Sequence, residues 1–150
     1  QQEDVGELML ILPEKHIYLR LVTDPEVARH VGFNVYPMAV PKTGASMPFL
    51  VYRRAGITKD PDIPGSQFKP NINMQVSCWA ETYDRAHEVS YEVWQALDGH
   101  TGTIASVTIE SIRLVSEVDD YLDPVQASAQ LPQAYEVRQL YQIRWQQFAN

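Results

Sequence analysis

The sequence predicts an α+β domain: a mostly antiparallel β-sheet with helices packed on one face, in the order α-β-β-β-α-β-β. Three observations predict it. Apolar and polar residues alternate over Asn71–Ala80, the period of a strand with one buried face. Apolar residues recur at helical spacing over Ala86–Leu97. Helical and strand segments come in groups, with several long connections between them, rather than in the regular alternation of a parallel α/β sheet.

The chain begins that order with helix. Pro13 suits a first helical turn, where its missing N–H costs nothing. Ile17, Leu21 and Val22 follow among Glu14, Lys15 and Arg20. Thr23-Asp24-Pro25-Glu26 is a second start signal, a capping side chain before proline and an acid, and Gly32 is a stop. Two short helices, or one broken helix, are expected over Pro13–Val31. Phe33–Tyr36 is a short strand closed by Pro37. Pro48 opens a strand over Phe49–Arg54 that is apolar on both sides, which places it inside the sheet. Lys59–Pro70, rich in Pro, Gly, Asp and Ser, is a long loop, and loops of that length in compact domains are usually functional or disordered.

In the strand Asn71–Ala80, Ile72, Met74, Val76, Cys78 and Ala80 share one face. Thr82 caps a helix whose Ala86, Val89, Val93 and Leu97 form one stripe, with Gly99 as its stop. Strand signals resume at Ile104. Val107 and Ile109 share one parity and Ile112 and Leu114 the other, so a bulge is expected near Glu110-Ser111. Glu117–Pro124 reads as an acidic turn and Pro124–Pro132 as a polar loop. A long final strand follows. Tyr135, Val137, Gln139, Tyr141, Ile143 and Trp145 lie on one side, and Glu136, Arg138, Leu140, Gln142 and Arg144 on the other.

Composition sets bounds on function. The chain has 150 residues, of which 45% are hydrophobic and 21% charged, enough for one domain over 1–150 with a real core and no internal repeat. No run approaches the roughly 20 apolar residues of a membrane helix. Leu8–Leu12 is preceded by acids where an export signal would carry positive charge. The net charge of −7 argues against gripping nucleic acid, although an acidic wall suits a surface that a polyanion slides past. One cysteine excludes intrachain disulfides and fits a reducing compartment.

Motifs of catalysis are absent. His16, His30, His87 and His100 form no HExxH and no close pair in sequence, and exposed or boundary positions are expected for them. Cys78 sits on an apolar strand face, where a thiol is inert. Glu117, Asp119, Asp120 and Asp123 lack the glycine and distal glutamate of a calcium loop. Gly99-His100-Thr101-Gly102 lacks the lysine of a phosphate loop and follows a helix instead of opening one. Arg53, Arg54 and Lys59 form the one basic cluster; Lys69 ends the long loop.

The acidic row Asp84, Glu88 and Glu92 is more suggestive. Like charges at successive i+4 positions cost a few tenths of a kcal/mol each in an isolated helix. Either the row is a plain solvent-facing helix surface, or, in a ring, it meets arginines of the adjacent subunit, such as Arg138 or Arg144.

The central block carries a family resemblance. It consists of Val35-Tyr36-Pro37, a loop, Met47-Pro48-Phe49-Leu50-Val51-Tyr52-Arg53, a long loop, Val76-Ser77-Cys78-Trp79-Ala80, Tyr83, Ala86, Val93 and Ala96-Leu97-Asp98-Gly99. In order and spacing it resembles the tail completion or tail terminator family of long-tailed bacteriophages and phage-derived particles. The likeness extends through Ile112 and Asp119–Pro124 to Trp145, and covers Thr23–Trp145. It implies a homo-hexameric ring in the virion that caps the tail tube, stops its polymerisation and meets the head-tail connector or stopper. It also implies assembly in the bacterial host cytoplasm, genomic DNA passing the lumen without sequence-specific binding, no membrane, and no catalytic residue, metal or cofactor. Partner contact would fall to the Lys42–Ser46 and Lys59–Pro70 loops, with Arg53, Arg54, Lys59 and Lys69. Two alternatives stay open: a head-completion or neck adaptor, and a small hydrolase using His87 or Cys78.

Overall fold

The computed structural model describes residues 13–38, 46–58, 71–104, 107–122 and 134–147. Two helices open the chain, α1 (Pro13–Thr23) and α2 (Pro25–Val31). Then come β1 (Val35–Pro37), β2 (Phe49–Thr58), β3 (Asn71–Ala80), α3 (Tyr83–Leu97), β4 (Gly102–Ile104), β5 (Val107–Leu122) and β6 (Ala134–Gln147). The strands form one sheet in the order β1-β2-β3-β6-β5-β4. β1 runs parallel to β2, and every other pairing is antiparallel.

The break between the first two helices is a cap. Asp24 is extended, and its Oδ1 accepts the amides of Glu26 and Val27 at 3.0 and 3.1 Å. That satisfies two of the amide donors that a helix start leaves open. Gly32 ends α2 at φ 58°, a conformation glycine adopts without the cost of a Cβ. Thr82 caps α3 by accepting the Arg85 amide at 3.2 Å. At the other end of α3, Gly99 takes φ 79° and donates its amide to the Ile112 carbonyl at 2.8 Å. Asp98 Oδ1 accepts the Leu114 amide at 2.9 Å, so the end of α3 is tied to β5 by two bonds.

One face of the sheet and all three helices share a single apolar cluster. Register explains which residues supply it. Leu50, Cys78 and Val137 form one cross-strand row, and Ile72, Ile143 and Ile112 another. Ala86, Val89, Val93 and Leu97 of α3 lie against them, all at most 1% exposed. Burying each such aliphatic chain contributes about 1.5–3 kcal/mol before entropy is counted. Gln75, Gln142 and Arg113 carry the opposite, polar face.

The sequence reading needs four corrections. β2 runs on to Thr58, past a bulge at Ala55. Gly102–Ile104 is a short strand of its own, paired with Val107–Ile109. Glu117–Leu122 is no acidic turn but the second half of β5, in continuous register with Ala134–Gln139. Glu117–Tyr121 are exposed, so the alternation of apolar and polar residues that marks a half-buried strand is missing. His16 is 3% exposed, not a surface histidine. The expected bulge near Glu110-Ser111 is present, and a second shift in register falls at Val115. The loops Lys42–Ser46, apart from Ser46, and Lys59–Pro70 lie outside the described residues, as does Pro124–Pro132.

Candidate assembly interface

α3 turns its buried stripe to the sheet and leaves the other side to solvent. That side carries the acidic row: Asp84 and Glu88 are exposed and Glu92 half-buried. α2 packs alongside, and between the two helices runs an open groove of about 600 Å³. Asp84, Glu88, Glu92 and Tyr91 line it from α3, Arg29 and His30 from α2. Arg29 already pairs with Glu26 at 2.9 Å, so the groove keeps an acidic character. Tyr83 and Tyr91, both about half exposed, flank the row. Exposed tyrosines are enriched in protein interfaces, whereas aspartate and glutamate are depleted from interface cores.

The two arginines expected to meet this row lie on the polar face of the sheet and differ in state. Arg138 is committed within its own chain. Its guanidinium donates to Glu136 at 3.0 Å and to Asp120 at 3.3 Å, and Glu136 is itself buried. The Glu136 carboxylate, through a hydrogen bond and its charge, holds the Arg138 pKa above the usual arginine value. Arg144 is different: its Nε is buried with no hydrogen-bond partner. Of the basic cluster, Arg53 is exposed, while Arg54 bridges β2 to α1 through Glu14 at 2.7 Å. Lys59 and Lys69 lie outside the described residues.

The residues considered for catalysis are occupied otherwise. Cys78 is fully buried, and that burial pushes its thiol pKa far up, away from a reactive thiolate. His87 packs at a tilt against Tyr83, ring centroids 4.4 Å apart. Its Nε2 lies 3.1 Å from Asp119 Oδ1, out of line for a hydrogen bond. Tyr83 Oη donates to the other Asp119 oxygen at 3.1 Å, which raises the Tyr83 pKa. The acids of β5 point to different partners: Glu117 to Gln139, Asp119 to Tyr83, Asp120 to Arg138. Among the described residues no three His, Cys, Asp or Glu side chains gather as a metal site. None of the described helices is long and apolar enough to cross a membrane.

Sequence reasoning missed one pair entirely. His16 on α1 and His100 after α3 meet with Nε2 to Nε2 at 3.1 Å. Leu19, Arg20, Thr23 and Thr103 complete a pocket of about 420 Å³ around them. Arg20 donates from Nε to the Ala96 carbonyl at 2.9 Å, a cation at the C-terminal end of α3. Histidines 84 residues apart give no local signal. The pair fastens α1 to the segment after α3.

The comparisons with known proteins fit this architecture. A family model described as "Tail completion protein gp17" matches residues 15–134. Among solved structures, a chain of the "Virion of native gene transfer agent (GTA) particle" has the same fold, with a TM-score of 0.66 and 14% sequence identity. The match covers 87% of this chain and 91% of that one. Curated proteins offer no match. The family match takes in most of α1, all of α2 and α3, and the five strands β1 to β5, including the α3 face just described, and the chain therefore belongs to the tail completion protein family, as a structural component of a phage-type tail.

Proposed function

We infer that this chain is a tail terminator: copies of it assemble as a hexameric ring that ends the tail tube and joins it to the head connector. The observation that carries this reading is the family match over residues 15–134. The likeness in fold to a chain of a gene transfer agent virion supports it.

The α3 face is the surface we assign to the contact between neighbouring copies. Asp84, Glu88 and Glu92 repel one another in a lone subunit. An adjacent subunit's Arg144 would neutralise them, and the Nε of Arg144 has no hydrogen-bond partner among the described residues. Arg138 is the lesser candidate, because Glu136 and Asp120 already hold it. Tyr83 and Tyr91 supply apolar area beside the charges. A subunit with a net charge of −7 also gives a ring whose lumen does not hold passing DNA. The contacts with tube and connector proteins fall to Arg53, Arg54, Lys59 and Lys69 and to the loops around them.

Charge reversal tests the assembly step. The purified protein is expected to run at a multiple of its subunit mass in light scattering, and Glu88→Lys with Glu92→Lys to reduce that mass. A doubly reversed protein of unchanged mass rules out this interface.

A further inference from the structure

Beyond the α3 face, the molecule leaves one backbone edge uncovered. β5 is 16 residues long and pairs with β6 along its whole length. On its other side β4 covers Val107–Ile109 and nothing more. The end of α3 closes the next stretch, through the Gly99 amide on the Ile112 carbonyl and Asp98 on the Leu114 amide. Further along, the Tyr121 amide is taken by the side chain of its neighbour, Asp120 Oδ1, at 2.8 Å. Between these closures, Ser116–Asp120 has no backbone partner on its outer side among the described residues, and every residue of it is exposed. By the alternation of antiparallel strands, Glu117 and Asp119 turn their amides to the same side as Tyr121. Val118 within the open stretch and Val115 just before it, both more than half exposed, add apolar surface there.

A bare edge of this kind is a template for one more strand. Its charge selects which. Glu117, Asp119 and Asp120 line it; Arg138 pairs with Asp120, and His87 lies beside Asp119. Two copies of the edge pairing with each other would set acid against acid. The chain's other edges, β1 and β4, are three residues each, and β1 ends in Pro37, so neither supplies a matching strand. The parts of the sequence outside the described residues contain no basic run: residues 1–12 hold Glu3, Asp4 and Glu7 and no Lys or Arg.

We propose that the outer edge of β5 at Ser116–Asp120 binds an extended basic segment of a different polypeptide, which adds to the sheet as a strand beside β5. The acids reject self-pairing and accept lysine or arginine at alternate positions of the incoming strand. On the assembly reading above, that polypeptide is another virion protein. The recognition itself is a property of the isolated subunit.

Amide hydrogen exchange on the purified, full-length protein tests it with three synthetic probes. One is a seven-residue peptide alternating lysine and valine; one alternates glutamate and valine; one is the lysine peptide with proline at its centre. The lysine–valine peptide is expected to slow exchange at Glu117 and Asp119 by roughly tenfold. The acidic peptide should leave it unchanged, and the proline peptide should protect much less. Absence of protection with the lysine–valine peptide overturns the proposal. So does equal protection by all three, or protection that grows with protein concentration alone, which would make the edge a self-contact. None of these outcomes depends on whether the protein terminates tails.

Discussion

His16 and His100 face each other Nε2 to Nε2 at 3.1 Å across the gap between α1 and the segment after α3. One ring must offer a bare nitrogen for the other to donate to, so the contact requires at least one neutral imidazole. The surroundings keep it neutral. Burial above all, then His100 and Arg20, lowers the His16 pKa from 6.5 to about 4, and His100 shifts in the same direction.

That arrangement makes stability depend on acid. The unfolded chain takes up a proton at His16 near pH 6.5, while the folded chain resists until about pH 4. The contribution is therefore intact above pH 6.5 and is lost as the pH falls from there towards 4. His16→Gln keeps a hydrogen-bonding side chain without the titration. Its melting temperature should fall less steeply between pH 6.5 and 4 than that of the parent; parallel curves would refute the assignment.

Gln139 is fully buried on β6 and holds three elements at once. Its Nε2 donates to the Ser90 carbonyl and to Glu117, both at 2.9 Å, and its Oε1 accepts from Tyr141 Oη at 2.8 Å. Gln139→Leu leaves the Ser90 carbonyl and the Tyr141 hydroxyl buried without these partners, and should cost about 1–3 kcal/mol in denaturant unfolding. Adding Tyr141→Phe removes one orphaned group, so the double variant should lose less than the sum of the singles.

Arg138 and Arg144 sit on the same face of the same strand, yet their removal should be felt in different measurements. Arg138→Leu strands the buried Glu136 carboxylate and should lower stability by about 1–3 kcal/mol, the outer part of the ion pair being wet. Arg144→Leu takes away no hydrogen bond made at Nε and should change subunit stability little while reducing the mass of the assembly. An Arg144→Leu protein of full assembly mass would remove Arg144 from the interface.

The elements read correctly from the sequence are those whose signals are local. Asp24 before Pro25, Thr82 before Tyr83 and the stripe Ala86-Val89-Val93-Leu97 each act within a few residues, and all appear as expected. The phase change at Glu110 also shows in the chain itself, because a bulge moves the apolar residues to the other parity. Glu117–Leu122 escaped because the exposed edge of a sheet imposes no apolar pattern; its strand character comes from pairing with Ala134–Gln139. The acidic row on α3 was legible as a repeat of charge, but not the α2 groove beside it. The His16–His100 pair and the Gln139 network join positions far apart in the chain, and no spacing rule reaches them.

The proposed role rests on termination of the tail tube, and electron microscopy of particles assembled without this protein tests that most directly. Overlong tails without heads are the expected result. Tails of normal length joined to heads would contradict it.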